Sequence, residues 1–351
     1  MATVREIAKQ ANVSKTTVSM VLNNREGVSE TLRRRVREAV KQLHVLEEAR
    51  AAEQAATQPE VQPFDPHYSP RGEEKPVSIL VLHPPSVRSS AVFHEIIHGI
   101  QAAVSFYKVQ LSLAFNDADL LNGRLSAMYF QDPVLRPSGV LVLGSRIDDP
   151  LVKQIQALNM PVLLIGRPPQ PPGISAIGRD EEAASFEAVS YLLDLGHRNI
   201  AFLGGSENYH YTFQRQAGYR QALCQRGIPV REEWIVPGFH EAEAARFLLN
   251  TPEITAVLFL NELYATQVLP LVQAAGMRIP EDLSAIGFDD TDRSRDFCPP
   301  LTSVSFPFYQ EGFWAVRMLI EQIRQPIIVS AQITFRATLM VRQSCGPPKS
   351  P

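Results

Sequence analysis

Cysteine is scarce in this chain. Its 351 residues hold only Cys224, Cys298 and Cys345, scattered and far from any C-x-x-C spacing, which argues against a disulfide framework and a zinc site. They read as ordinary buried or surface thiols, and no metal or cofactor is expected. No apolar run approaches the roughly 20 residues that span a bilayer. The N-terminal stretch also lacks the apolar core of a signal peptide, so the chain is expected to stay in the cytoplasm. Catalytic signatures are missing as well: there is no G-x-S-x-G elbow, no phosphate-binding P-loop, no complete G-x-G-x-x-G and no metal-ligand spacing. The expectation is a protein that is not an enzyme.

What is present is uneven in charge. The overall balance is -3, yet residues 1–45 carry nine Lys or Arg against four Glu, a local balance of +5. The rest of the chain is correspondingly acidic, at -8. A basic head on an acidic body suits phosphate contact by the head alone, because counterion release rewards local positive charge. With 45% hydrophobic and 20% charged residues, the length suffices for a small domain and one or two larger ones.

Residues 3–32, TVREIAKQANVSKTTVSMVLNNREGVSETL, read as a helix-turn-helix. Thr3 and Glu6 form a capping box that starts a helix at Val4, and Val4, Ile7 and Ala8 give it an apolar side that closes at Lys9. Ala11, Asn12 and Val13 are short enough for a sharp turn. Ser14 then caps a second helix whose apolar face is Val18, Val21 and Leu22. Lys15, Thr16, Thr17 and Ser19 are left on the outward side near its N-terminus, where a recognition helix presents base-reading side chains and can hold a phosphate.

The box T-x-x-E-x-A, the turn, and V-S-x-T-T-V-S-x-V-L-N together resemble the N-terminal domain of the lactose-repressor family of bacterial transcription regulators. The resemblance implies that Lys15 and Thr16 are the base-reading pair and that Ser19 and Asn23 contact phosphate or base. It also implies backbone-positioning contacts from Thr3, Val28 and Ser29. Met20 departs from the Arg that many members carry, which removes one contact. Residues 1–46 are therefore expected to form a helix-turn-helix DNA-binding domain.

A third helix begins after Ser29, with Leu32, Val36, Ala39, Val40, Leu43 and Leu46 at helical spacing. The family then has a Tyr-x-Pro-Asn segment and a hinge helix that enters the minor groove, but this chain reads LHVLEEARAAEQAA. Glu47 and Glu48 replace Pro and Asn, and Gln54 replaces the groove-inserting Leu. Carboxylates are unfavourable against a phosphate-lined groove. The strong helix formers predict instead that the third helix runs on to about residue 56. Residues 57–76 hold five prolines and read as a semi-extended linker, so 47–76 is a helical extension plus linker.

From Val77 onward, apolar strand patterns alternate with helical ones. Strands are expected at 77–82, 109–115, 139–144, 161–166, 199–205, 234–236, 256–260 and 283–290. Helices are expected at 89–106, 120–128, up to 158, 182–195, 212–226, 241–250 and 263–276. Such alternation predicts an α/β body of two doubly wound parallel-sheet lobes over 77–346, behind an all-α head. DLGHRNIAFLGG (194–205), RQAGYRQAL (215–223), RIPEDLSAIGFDD (278–290), PPLTSVSFP (299–307) and ATLMVRQS (337–344) all resemble the same family's sensor domain, which is similar to periplasmic sugar-binding proteins. That likeness implies three chain crossings between lobes, with the strand at 302–305 and the helix at 309–324 returning to the first lobe.

Ligands of open α/β sheets sit beyond the carboxyl ends of strands. The resemblance places Arg215 as an effector-binding guanidinium, Glu262 where the family has Asp, Asp180 at another acidic position, and Phe93 and His240 where aromatic rings stack; Phe239 is an alternative to His240. The implied function is a repressor that binds a pseudo-palindromic operator as a homodimer, or a pair of dimers, under control of a small ligand, most naturally a sugar. A solute-binding protein, or a ligand-independent DNA binder with a vestigial sensor, are the competing readings.

Overall fold

The computed structural model describes residues 8, 10–11, 13–22, 29, 31–36 and 39 of the head. Of the rest it describes 76–83, 90–115, 129–130, 132, 134–144, 160–167, 173–205, 209–238, 240–325 and 330–349. The expected helical extension to residue 56, the linker, and the helices at 120–128 and before 158 lie outside these. The chain divides into two compact units, 1–72 and 73–351.

In the first unit, helix α1 (Lys15–Leu22) starts at Ser14, whose Oγ accepts the amide of Thr17 at 3.1 Å. An N-cap of this kind contributes about 1 kcal/mol. Val18 and Val21 on α1 bury against Ala8, Ala11, Val36 and Ala39, with Val13 packed alongside. The first helix does not close at Lys9: Gln10 and Ala11 are still helical, and the amide of Val13 reaches back to the carbonyl of Ala8. Arg35, in the helical stretch 31–36, donates from Nη2 to the Ala11 carbonyl at 2.8 Å, tying that stretch to the end of the first helix.

The second unit runs β1 (Ser78–His83), α2 (Ala91–Tyr107), β2 (Gln110–Phe115), β3 (Gly139–Leu143), β4 (Val162–Ile165) and β5 (Ser175–Arg179). Next come α3 (Glu181–Asp194), β6 (Ile200–Leu203), α4 (His210–Gln225), β7 (Ile235–Val236), α5 (Glu241–Asn250), β8 (Ala256–Phe259), α6 (Glu262–Ala274), β9 (Ser284–Phe288), α7 (Asp292–Asp296) and β10 (Thr302–Ser305). The chain ends with α8 (Phe308–Arg324), β11 (Gln332–Phe335) and β12 (Thr338–Met340). Two six-stranded sheets result, ordered β11-β5-β4-β3-β1-β2 and β12-β10-β9-β8-β6-β7. Every pairing is parallel except β10 with β12. β3, β4 and β8 are buried along their whole length, as expected of strands covered by helices on both faces.

The chain crosses between sheets after β5, after β10 and between β11 and β12. Three crossings were expected, but the strand at 302–305 does not return to the first lobe. It pairs with β9, with Val304 opposite Phe288, and only α8 and β11 go back. The strands β5 and β11 were not anticipated at all.

Beyond β12, the C-terminal segment is fastened across the second sheet through His197. Its Nε2 lies 2.8 Å from the Gly346 carbonyl and its Nδ1 lies 2.8 Å from Thr255 Oγ1, so Nε2 carries the proton. Burial holds this imidazole below its ordinary pKa. The unfolded chain therefore takes up a proton that the folded one refuses, and the stabilisation present above about pH 6.5 is lost as the pH falls. Melting temperatures measured from about pH 7.5 down to 5.5 should fall for the wild type. In His197→Gln, less stable at neutral pH, the fall should be shallower; parallel curves would refute the assignment. Among the described residues no helix is long and apolar enough to cross a membrane.

Candidate functional site

Two surfaces carry the predicted side chains. On the head, Lys15 is exposed at the first position of α1 and Thr17 is half-buried. The Thr17 hydroxyl lies 2.8 Å from that of Ser14, so both belong to the cap as well as to the outward side. Thr16 and Ser19 hold helical positions in α1. Ser29 is exposed ahead of the helical stretch 31–36, its Oγ 3.5 Å from the amide of Leu32. Thr3, Asn23 and Val28 lie outside the described residues.

In the body, the carboxyl ends of β3, β4, β5, β8 and β9 converge with the N-terminal turns of α2 and α4 around a cavity of about 190 Å³. One side is apolar, built from Val92, Phe93, Ile96, Leu143 and Ile165. The polar groups are Ser90, Arg179, Arg215, Asn261 and Asp289, with Tyr211 between. Asn261 caps α6, its Oδ1 accepting the Tyr264 amide at 2.9 Å, which leaves its amide nitrogen for the cavity. Burial raises the Tyr211 phenol to about 12, so it stays protonated.

Arg215 is held from every direction. Its Nε donates to Glu181 Oε2 at 2.7 Å, Nη1 donates to the Leu260 carbonyl, and Nη2 lies 3.6 Å from Asp289 Oδ1. Its guanidinium also sits 3.9 Å over the Phe288 ring. Arg179 Nε stands 3.6 Å from both Glu181 Oε1 and Glu311 Oε2. Burial pushes the carboxyls of Asp289 and Glu311 up against the opposing pull of the arginines. Asp289 and Asp290 both have positive φ, 94° and 52°. Two successive non-glycine residues in that region store strain, a feature that clusters at ligand sites.

Of the sequence-predicted residues, Phe93 and Arg215 line the cavity, while Asp180, Glu262 and His240 do not. Asp180 is the N-cap of α3 and accepts the Ala183 amide at 3.1 Å. The Glu262 carboxylate turns away to the backbone amide of Thr291, at 2.9 Å, and to the hydroxyls of Thr291 and Ser294. His240 is exposed at the start of α5, and Phe239 lies outside the described residues. Sequence reasoning missed Arg179, Asn261, Tyr211 and Asp289. The strand-end rule finds the last of these once the loop after β9 is added to the cleft.

Residues 3–44 match the family described as bacterial regulatory proteins, lacI family, and residues 189–345 match the periplasmic binding protein-like domain. The HTH-type transcriptional repressor PurR of Photobacterium profundum is 26% identical over 98% of both chains. Catabolite control protein A of Priestia megaterium is 28% identical over 97% of this chain and 98% of its own. Among solved structures, the transcriptional regulator CelR in complex with cellobiose aligns over 98% of this chain and 100% of its own, with 26% identity and a TM-score of 0.70. The Lac repressor dimer bound to operator and an anti-inducer shares the fold at TM-score 0.67 and 23% identity, over 98% of this chain and 99% of its own. Helix-turn-helix head and two-lobed body thus match in order and extent: the chain carries a lacI-family helix-turn-helix ahead of a periplasmic-binding-protein-like body, as the regulators similar to it do.

Proposed function

We propose that this protein is a cytoplasmic, DNA-binding transcription repressor and not an enzyme. It acts as a homodimer, or a pair of dimers, on a pseudo-palindromic operator and is controlled by a small ligand in the cleft, most naturally a carbohydrate. The observation that carries this reading is the exposed Lys15 one residue after the Ser14 cap, in a chain whose body also holds a strand-end cavity built around Arg215. A single recognition helix covers only a half-site, so two copies are needed, spaced by helical turns of DNA. Control follows if the ligand binds one arrangement of the lobes more tightly than the other. The carboxylates near the cavity are committed to guanidinium groups, which suits recognition better than acid–base chemistry. The CelR structure contains cellobiose, which supports a carbohydrate.

Selection of bound sequences from random duplex DNA, at fixed salt and with or without a panel of sugars and nucleosides, tests this. The wild type should enrich two symmetry-related half-sites. Lys15→Ala should relax the preference at one base pair, with a loss of about 1–3 kcal/mol on the selected site. No enrichment by the wild type, or an unchanged preference in the variant, would reject the reading.

A further inference from the structure

The cleft holds two buried arginines that differ in one respect. All three nitrogens of Arg215 are engaged by Glu181, Leu260 and Asp289. Arg179 has only its Nε beside carboxylates, at 3.6 Å from Glu181 and from Glu311. Among the described residues, its two terminal nitrogens make no hydrogen bond, although the side chain is only 11% exposed and lines the cavity. Nη2 lies against Gly166, where an added Cβ would come within 2.8 Å of it. A buried guanidinium with an open fork calls for a pair of adjacent acceptors.

The surrounding charge decides what kind of acceptor. Three carboxylates, Glu181, Asp289 and Glu311, face two guanidinium groups, Arg179 and Arg215; Arg167 is also buried but is not part of the cavity wall. Each guanidinium thus already faces a carboxylate, and the charge of Arg179 is balanced without a ligand. In a buried site, where Coulomb terms are screened far less than in water, an added carboxylate or phosphate would have to sit beside these acidic groups. Hydroxyl groups satisfy the fork at no charge, donate to Asp289, and accept from the free Asn261 amide. The apolar side of Val92, Phe93, Ile96 and Ile165 takes a ring's carbon face.

Arg179 also sits on the hinge. It is the last residue of β5, before the first crossing; Glu181 lies just after that crossing. Phe306 and Phe308, which flank the second crossing, stand 5.7 and 5.2 Å from its Cζ at their ring centroids. Any force on its terminal nitrogens is thereby delivered to two of the three strands of chain that join the lobes.

We propose that Arg179 is the specificity-determining residue of the cleft: it donates its terminal N–H groups to adjacent hydroxyls of an uncharged ligand, so that the site takes neutral sugars and refuses the corresponding sugar acids. This rests on the effector-binding reading above. The test is calorimetric titration of the full chain with matched pairs, D-glucose against D-glucuronate and D-galactose against D-galacturonate, together with D-ribose and cellobiose. At least one neutral sugar should bind, and its acid partner should bind at least tenfold more weakly. Arg179→Lys keeps the cation beside Glu181 and Glu311 but loses the fork. It should bind that sugar at least tenfold more weakly. An acid that binds as well as its parent, a Lys variant with unchanged affinity, or no response to any neutral sugar would each overturn the proposal. The acid-to-neutral ratio is read on the wild type alone, so a variant that fails to fold leaves the test intact. Loss of sequence-selective DNA binding by the wild type would sink the regulator reading instead, whatever the sugars do.

Discussion

Gly312→Ala is expected to destabilise the first lobe by about 3 kcal/mol, at the upper end of the usual cost of overpacking. In an exposed helix the same change would stabilise by about 1 kcal/mol through helix propensity. The difference comes from where Gly312 lies. A Cβ there would fall 2.0 Å from the carbonyl oxygen of Ile96 on the facing helix, and a Cβ at Gly99 would fall 1.9 Å from that of Tyr309. The two glycines thus face each other's backbone across the α2–α8 crossing, and no side-chain rotation relieves contact with a carbonyl. The helices must move apart by about 1 Å, and that opens voids among Ile96, Ile100, Val316 and Leu319, which are buried there. A fall of roughly 10 °C in melting temperature follows for a unit of this size. Each lobe has its own reporter, Trp314 on α8 and Trp234 beside β7, so Trp234→Phe leaves fluorescence that follows the first lobe alone. A stability within 0.5 kcal/mol of wild type, or above it, would mean that the helices are not in backbone contact.

The plainest strand signals in the sequence came from strands buried on both faces. ILVL within β1, GVLVL and VLLI are apolar throughout, and all three strands sit inside the first sheet. β5 reads SAIGR and β11 reads QITF, too short and too mixed to stand out, because β11 is an edge strand with alternating exposure and β5 takes its burial from neighbours on either side. Placing residues 302–305 in the wrong lobe has a similar origin. Apolar patterning identifies a strand but not its sheet, and that choice is made by the register of Thr302 against Ile286.

The head was more legible than the cleft because its logic is local. A cap at Ser14 is visible within three residues, since the amide it accepts belongs to Thr17. The cleft gathers residues 93, 143, 166, 179, 211, 215, 261 and 289 from both lobes, and no spacing in the sequence announces such a set. Arg215 was identifiable through its motif, whereas the partner that holds it, Glu181, looked like an ordinary first-turn acid of α3. Glu262 shows the converse. Its position next to Asn261 suggested a ligand contact, but the geometry gives its carboxylate to the start of α7.

Arg215→Ala should be among the most damaging single changes in the body, at about 3–5 kcal/mol, the range for removing one partner of a buried ion pair. The loss has three parts: Glu181 keeps a buried charge without its 2.7 Å donor, the Leu260 carbonyl loses its donor, and the ring of Phe288 loses the cation stacked on it. The first part dominates, because a buried charge left with only the 3.6 Å contact to Arg179 costs more than a lost packing contact. Glu181→Gln in the same chain should therefore recover a substantial share of the stability. A double-mutant cycle should show coupling of more than about 1 kcal/mol between the two positions. The pH dependence has a definite sign. Burial already pushes the Asp289 carboxyl up while Arg215 pulls it down, so removing Arg215 raises it further. The folded variant then binds protons that its unfolded chain has released, and its deficit relative to wild type should shrink as the pH falls from neutral toward about 5. Denaturant titrations of the four proteins at two pH values give the cycle and the slope together. Additive losses, or a deficit that grows on acidification, would show that Arg215 acts through packing and not through charge.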